Sequence, residues 1–266
     1  MRLKNEILLS QFICYLSLFT IVGCYEPIDG CLDLRADNYS LIADNGCDDC
    51  CTFPDIRLTF VPMWDDELLD TDTVYTTSMG DSFSIVSSAF LVSNILLLNE
   101  EESLVSQNSV EVDCGDGVFY DSFSSISLSS RIGSSTSVPL TLGFNEVQFD
   151  LGVSDCLAQN DTLQALNTFD SADEFLDSRF SEQEFISAQI QLDTGPDTLE
   201  LLFLNTEWSE QLNLTGDFEI REGFNLNLDI LVDYRVLLQT VSLNQSNEGV
   251  KNDISQNVIN AFTLQN

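Results

Sequence analysis

Phe224-Asn-Leu-Asn-Leu-Asp-Ile-Leu-Val-Asp-Tyr-Arg-Val236 carries an apolar residue at every second position over thirteen positions. Successive side chains of a strand point to opposite faces. The period therefore predicts a strand burying Phe224, Leu226, Leu228, Ile230, Val232, Tyr234 and Val236, with Asn225, Asn227 and Asp229 on the other face. The same alternation appears at Ile56, Leu58 and Phe60 before Pro62, at Phe83 and Ile85, and at Leu140, Leu142 and Phe144. It resumes in shifted phase at Val147, Phe149, Leu151 and Val153 after Gly143-Phe-Asn-Glu146, which marks a turn or a bulge. Phe90 to Leu98 is apolar enough for a central strand, and Ser122–Ser137 reads as an edge strand and loop. Ile186, Ala188, Ile190 and Leu192 precede the turn chemistry of Asp193-Thr-Gly-Pro-Asp197, and Leu199, Leu201 and Phe203 follow it. Two stretches break the pattern. Ser171-Ala-Asp-Glu174 has capping-box spacing and predicts a helix to about Phe185, and Ser255 to Phe262 predicts a short terminal helix. The fold class expected is all-β: an immunoglobulin-like antiparallel β-sandwich with a short helical insertion.

The other end of the chain carries an address. Arg2 and Lys4 precede the apolar run Ile7–Gly23, and Cys24 follows at once. A basic start, a short apolar stretch and a small residue before the cut describe a secretory signal. Ser10, Gln11, Ser17 and Thr20 interrupt the run, which disfavours a membrane-spanning helix. Ile21-Val22-Gly23-Cys24 resembles the lipobox of bacterial lipoproteins, which implies removal of residues 1–23 and diacylation of Cys24. The expected location is the bacterial cell envelope, as an outer-membrane lipoprotein whose protein partner is unnamed.

Export bounds the cysteine chemistry. After Cys14 leaves and Cys24 takes lipid, Cys31, Cys47, Cys50, Cys51, Cys114 and Cys156 remain as disulfide candidates. Cys114 with Cys156 is a plausible third pair, and the rest of the connectivity stays open. Cys47-Asp-Asp-Cys50 also has zinc-knuckle spacing, but an oxidising compartment disfavours zinc. Residues 24–54 are too few to bury a core and need staples. The run from Gly30 to Pro54 resembles acidic, cysteine-clamped segments akin to thrombospondin type 3 repeats. That resemblance implies calcium at Asp33, Asp37, Asn38, Asp44, Asp48 and Asp49; a disulfide-tied spacer with solvated carboxylates is the alternative.

Charge and composition exclude much. The chain has 44 acidic residues, 9 basic residues and no histidine, for a net charge of −35. Removing Arg2, Lys4 and Glu6, a net of +1, leaves the mature part at −36. Nucleic acid is excluded as a partner because phosphate binding needs a basic surface. Anionic headgroups repel the body too, so the bilayer is contacted through the lipid alone. Without histidine there is no Ser-His-Asp or Cys-His centre and no HExxH protease, and no P-loop or GxGxxG is present. The chain is not expected to be an enzyme. Hard cations remain conceivable: Asp65, Asp66, Glu67, Asp70 and Asp72 are the densest carboxylate cluster of the main domain and the candidate calcium ligands, against the alternative of a solvated acidic turn.

Several segments together resemble the MbnP-like domain, named after a periplasmic copper-binding protein. They are Leu58-Thr-Phe-Val-Pro-Met-Trp64, Val74-Tyr-Thr-Thr-Ser-Met-Gly80, Phe90-Leu-Val-Ser-Asn-Ile-Leu-Leu-Leu98, Val147–Val153, Asn160-Asp161, Phe224–Asp233 and Asn257–Leu264. The resemblance covers about residues 55–264 and implies a β-sandwich. Family members that bind copper use histidine beside an oxidised tryptophan, so no copper ligand carries over. Trp64 and Trp208 are expected to pack in the core or on a sheet. Copper could draw only on Met63, Met79 or cysteine sulfur, too few soft donors, and is disfavoured. The expected order is a signal peptide at 1–23, a lipidated cysteine-clamped stalk at 24–54 and an MbnP-like sandwich at 55–266 that binds or scaffolds without catalysis. The alternative is metal binding.

Overall fold

The run at 224–236 is a strand only as far as Asp233. The Asp233 carboxylate accepts hydrogen bonds from the backbone N–H of Arg235 at 2.9 Å and of Val236 at 3.4 Å. Those are donors that a helix start leaves without partners, so Asp233 ends the strand and caps a helix at Tyr234. Tyr234 is buried by that turn rather than by strand alternation, and Phe224, ahead of the paired residues, is exposed.

The computed structural model describes residues 25–99, 103–105, 109–113, 118–129, 132–137, 143–153, 186–205, 207–219 and 224–265. They divide into two units between Thr52 and Phe53. In the first, β1 (Asp29–Gly30) and β2 (Asn45–Gly46) pair in parallel, and Cys31–Cys51 and Cys47–Cys50 are disulfides. Cys31 and Ala36 are its buried apolar side chains among the described residues, so covalent staples stand in for a core. Gly30 is required there: a Cβ would lie 2.9 Å from the Cβ of Ala43.

The second unit is the sandwich. Its strands are β3 (Asp55–Trp64), β4 (Glu67–Leu68), β5 (Tyr75–Thr76), β6 (Ser82–Leu98), β7 (Ser103–Val105), β8 (Ser109–Asp113), β9 (Val118–Ser127), β10 (Ile132–Ser137), β11 (Gly143–Leu151), β12 (Ile186–Asp193), β13 (Thr198–Leu204), β14 (Gln211–Glu219), β15 (Leu226–Asp233) and β16 (Phe262–Gln265). One sheet runs β10-β3-β15-β16 with β4 against β3, and the other runs β13-β12-β6-β11-β14 with β5, β7 and β9 also on β6. The ladders are antiparallel except that β3 and β15, early and late in the sandwich, pair in parallel from Leu226↔Ile56 to Asp233↔Met63. The expected hairpin at Asp193–Asp197 is present, with Gly195 at φ +91. β10 lies at a sheet edge, as the serine-rich stretch suggested.

Long β6 organises the larger sheet. Residues 89–93 pair with β9 on one edge, while 84–90 pair with β12 and 92–98 with β11. A strand has two edges, so β12 and β11 follow one another along the same edge and meet near Leu91. Just beyond, Asn94 takes φ 49, opposite a register shift in β11, which marks a bulge. Between the sheets, Phe60 from β3 meets Phe149 (5.4 Å) and Phe90 (6.0 Å) edge-on, and it meets Phe262 of its own sheet at 6.5 Å in the same way, a geometry that aromatic quadrupoles favour.

Helices α1 (Tyr234–Leu238) and α2 (Asn247–Asn257), with a 3₁₀ turn at Val258–Ala261, lie between β15 and β16. The expected terminal helix at 255–262 thus starts earlier, where the Ser246 hydroxyl accepts from the Gly249 N–H. It buries Val250, Ile254 and Val258, four residues apart, and Phe262 begins a strand. The expected helix at 171–185 and the alternating Leu140 and Leu142 lie outside the described residues.

Candidate functional site

The five carboxylates of the acidic loop serve different ends. Asp65 and Asp66 form the two-residue turn between β3 and β4, where Trp64 faces Glu67. Asp65 takes φ 60, a left-handed conformation that aspartate tolerates better than most residues. Its carboxylate pairs with the Arg235 guanidinium, and its N–H donates to the Asp233 carboxylate at 3.2 Å. Asp70 closes the next turn: one oxygen accepts from the Asp72 N–H and the other from the Thr73 hydroxyl, each at 3.0 Å. The Tyr75 hydroxyl donates to the Asp70 carbonyl at 2.9 Å. Asp66, Glu67 and Asp72 face solvent. Among the described residues no three Asp, Glu, Cys or His side chains come close enough to hold a metal, so the structure does not assemble the five into a calcium cage.

The N-terminal oxygens are similarly engaged. Asp33 accepts from the Arg35 guanidinium at 2.6 and 2.9 Å, and this pairing holds its carboxyl down at about 2. Asp44 accepts from the Ile28 N–H at 3.0 Å and from the Tyr25 hydroxyl; both bonds lower its pKa, while the Tyr25 hydroxyl is raised by the carboxylate it faces. Asn38 donates to the Cys50 carbonyl at 2.7 Å and accepts from the Thr52 N–H at 2.9 Å. These side chains stitch their own loop together. Cys47 and Cys50 share a disulfide, which leaves no thiolate pair for a zinc knuckle. Cys24, Cys114 and Cys156 lie outside the described residues.

Both tryptophans pack as expected. Trp64 stacks on Tyr75 at 4.0 Å with its edge toward Phe83, and Trp208 is buried against Phe203 at 4.6 Å. The donor set does not fit copper: the chain has no imidazole, the described cysteine sulfurs are all in disulfides, and beyond Met1 only Met63 and Met79 remain.

Sequence reasoning missed a buried polar clamp. Where β11 gives way to β12 along β6, backbone groups lose ladder partners, and a buried one left open is costly. Asn205 supplies the missing partner. Its Oδ1 accepts from the Val153 N–H at 3.0 Å and the Ser187 hydroxyl at 2.5 Å, and its Nδ2 donates to the Val153 carbonyl at 2.8 Å. Gly152, at φ +83, donates to the Leu91 carbonyl at 2.8 Å, with no room for a Cβ beside Asn205. A second buried bond runs from the Tyr234 hydroxyl to Ser88 Oγ at 2.8 Å, and burial pushes the Tyr234 phenol up to about 12. Asn205 follows β13 directly and continues the buried face of Leu201 and Phe203, so the alternation places it inside, but only the seam in three dimensions shows which groups its amide serves.

The MbnP family model matches residues 54–254. The chain belongs to the MbnP family. Among solved structures it is similar to MbnP from Methylosinus trichosporium, with 7% identity over 71% of this chain and 78% of that one, and a TM-score of 0.41. No curated protein matches it in sequence. Membership fits the expected sandwich, and this MbnP-family chain carries no histidine.

Proposed function

We propose that this MbnP-family chain is a lipid-anchored protein of the bacterial outer membrane whose sandwich binds or scaffolds a partner without catalysis. The observation that carries the reading is the order of parts: Ile21-Val22-Gly23-Cys24, a module stapled by two disulfides, then the family sandwich. Disulfides belong to an oxidising compartment, a basic start and a short apolar run read as an export signal, and the resemblance of Ile21-Val22-Gly23-Cys24 to a lipobox implies that Cys24 accepts the lipid. A surface at −36 would be held at the bilayer by its acyl chains, since carboxylates gain nothing from anionic headgroups. The non-catalytic part rests on how the polar groups are spent: Asp33, Asn38, Asp44, Asp65, Asp70 and Asn205 each hold a turn, a cap or a seam.

The test is fractionation in a bacterium with the lipoprotein pathway. The parent protein should partition into the membrane and the detergent phase of a Triton X-114 extraction. Cys24→Ser should move to the aqueous phase or remain uncleaved. A Cys24→Ser protein that is processed and membrane-bound like the parent would refute the anchor.

A further inference from the structure

The two disulfides of the N-terminal module are unequal. Cys31 is 1% exposed, whereas Cys50 is exposed and Cys47 half-exposed. Cys31–Cys51 closes a separation of 20 residues and Cys47–Cys50 a separation of only 3. In the chain-entropy picture a short ring constrains the unfolded chain less, here by roughly tenfold in equilibrium constant. The elements around the short ring do not depend on it. Asn38 fixes the Cys50 carbonyl and the Thr52 N–H, the Cys47 N–H donates to the Gly30 carbonyl at 3.2 Å, and Cys31–Cys51 ties the two ends.

We propose that Cys47–Cys50 is a solvent-facing redox disulfide that exchanges two electrons with an external dithiol while Cys31–Cys51 keeps the module folded. The thiolate of the dithiol attacks exposed Cys50 Sγ, forming a mixed disulfide and releasing Cys47 as a thiolate that takes up a proton. The second thiol of the dithiol, as thiolate, then attacks its own sulfur in the mixed disulfide. The dithiol leaves as a disulfide, Cys50 is released and protonated, and two electrons have passed to the Cys47–Cys50 pair.

Charge selects the co-reactant. Between Tyr25 and Thr52 the chain carries seven carboxylates and one guanidinium, with Asp48 and Asp49 inside the ring itself. An anionic thiol such as glutathione is repelled at low salt, and the repulsion fades as the Debye length shrinks. The fitting reductant is a dithiol on a neutral or positively charged surface.

The experiment uses the full-length protein in detergent, equilibrated with graded ratios of reduced to oxidised dithiothreitol, alkylated with N-ethylmaleimide and read by peptide mass. Cys47 and Cys50 should be labelled at a ratio about tenfold less reducing than Cys31 and Cys51. Oxidised dithiothreitol should restore the bond. Release of all four thiols in one step, or of Cys31 and Cys51 first, would overturn the proposal. In the Cys47→Ser/Cys50→Ser variant the Cys31–Cys51 midpoint should stay where it is in the parent; a midpoint moved to that of the short ring would show that the module depends on both. Cationic cysteamine should reduce Cys47–Cys50 faster than glutathione at low salt, with the gap narrowing at high salt, and the reverse order contradicts the charge argument.

Discussion

Gly152→Ala should be among the most damaging single-methyl additions in the sandwich. Gly152 has φ +83, and an added Cβ would sit 2.5 Å from Asn205 Oδ1, 3.0 Å from Ser187 Oγ and 3.2 Å from the Trp208 carbonyl oxygen. A left-handed alanine costs about 1–2 kcal/mol in backbone strain. Moving the Asn205 amide aside opens its bonds to Val153 and Ser187, and an unsatisfied buried group costs about 1–3 kcal/mol. The two effects overlap, so about 3 kcal/mol in total is expected. Gly195 is the control: φ is +91, yet a Cβ there meets nothing within 4 Å, so Gly195→Ala carries the strain alone. Urea unfolding followed by tryptophan fluorescence reads the difference, since Trp208 is buried next to the seam. With a slope of about 2 kcal/mol per molar, Gly152→Ala should unfold about 0.5–1 M earlier than Gly195→Ala. Equal midpoints for the two variants would mean that the Asn205 clamp contributes little and that the seam is held by packing alone.

Four further outcomes follow from other sites. The Tyr234 phenol, at about 12 when folded and 10 when free, binds its proton more tightly in the native state, so its contribution is complete below pH 10 and is lost as pH rises through about 12; Tyr234→Phe should remove that alkaline loss of melting temperature, and an unchanged alkaline limb would contradict the burial. Asp33 behaves oppositely: its folded value of about 2 lies below the ordinary 3.8, so its support is present above pH 3.8 and is lost as pH falls through about 2, which carbon-detected NMR titration can follow and Arg35→Gln should raise. Asp233→Ala removes the cap of α1 and an acceptor for the Asp65 N–H, and should cost about 1–2 kcal/mol in urea unfolding. Calcium at about 1 mM should leave the melting temperature within about 1 °C, because the loop carboxylates are not gathered; a larger rise would mean that Asp65–Asp72 rearrange around the ion.

The strands were legible wherever one face is buried and the other wet. β3, β12, β13 and most of β15 follow the alternation of Ile56, Leu58 and Phe60, of Ile190 and Leu192, of Leu201 and Phe203, and of Leu228, Ile230 and Val232. Reading continued too far at Tyr234 because period two cannot see a cap: one carboxylate at Asp233 redirects the backbone while the hydrophobic pattern runs on. The α2 helix was misplaced for the converse reason. Its apolar positions Val250, Ile254 and Val258 sit on one narrow stripe among polar residues, and Gly249 masked the start at Ser246. The parallel β3–β15 pair and the meeting of β11 with β12 on one edge of β6 join residues far apart in sequence, so no local window contains them. For the site, residue types were readable but their engagement was not. Asp65 and Asp70 look free in a string of acids, and only the positions of Arg235 and Thr73 show where their oxygens go.

The most direct test of the account is the mass of the mature N-terminus. Protein extracted from membranes and digested should yield a first peptide that begins at Cys24 and carries a diacylglyceryl group on its sulfur, with Tyr25 next. A first peptide that begins elsewhere, or Cys24 with a free thiol and no acyl mass, would contradict the lipid anchor on which the proposed function rests.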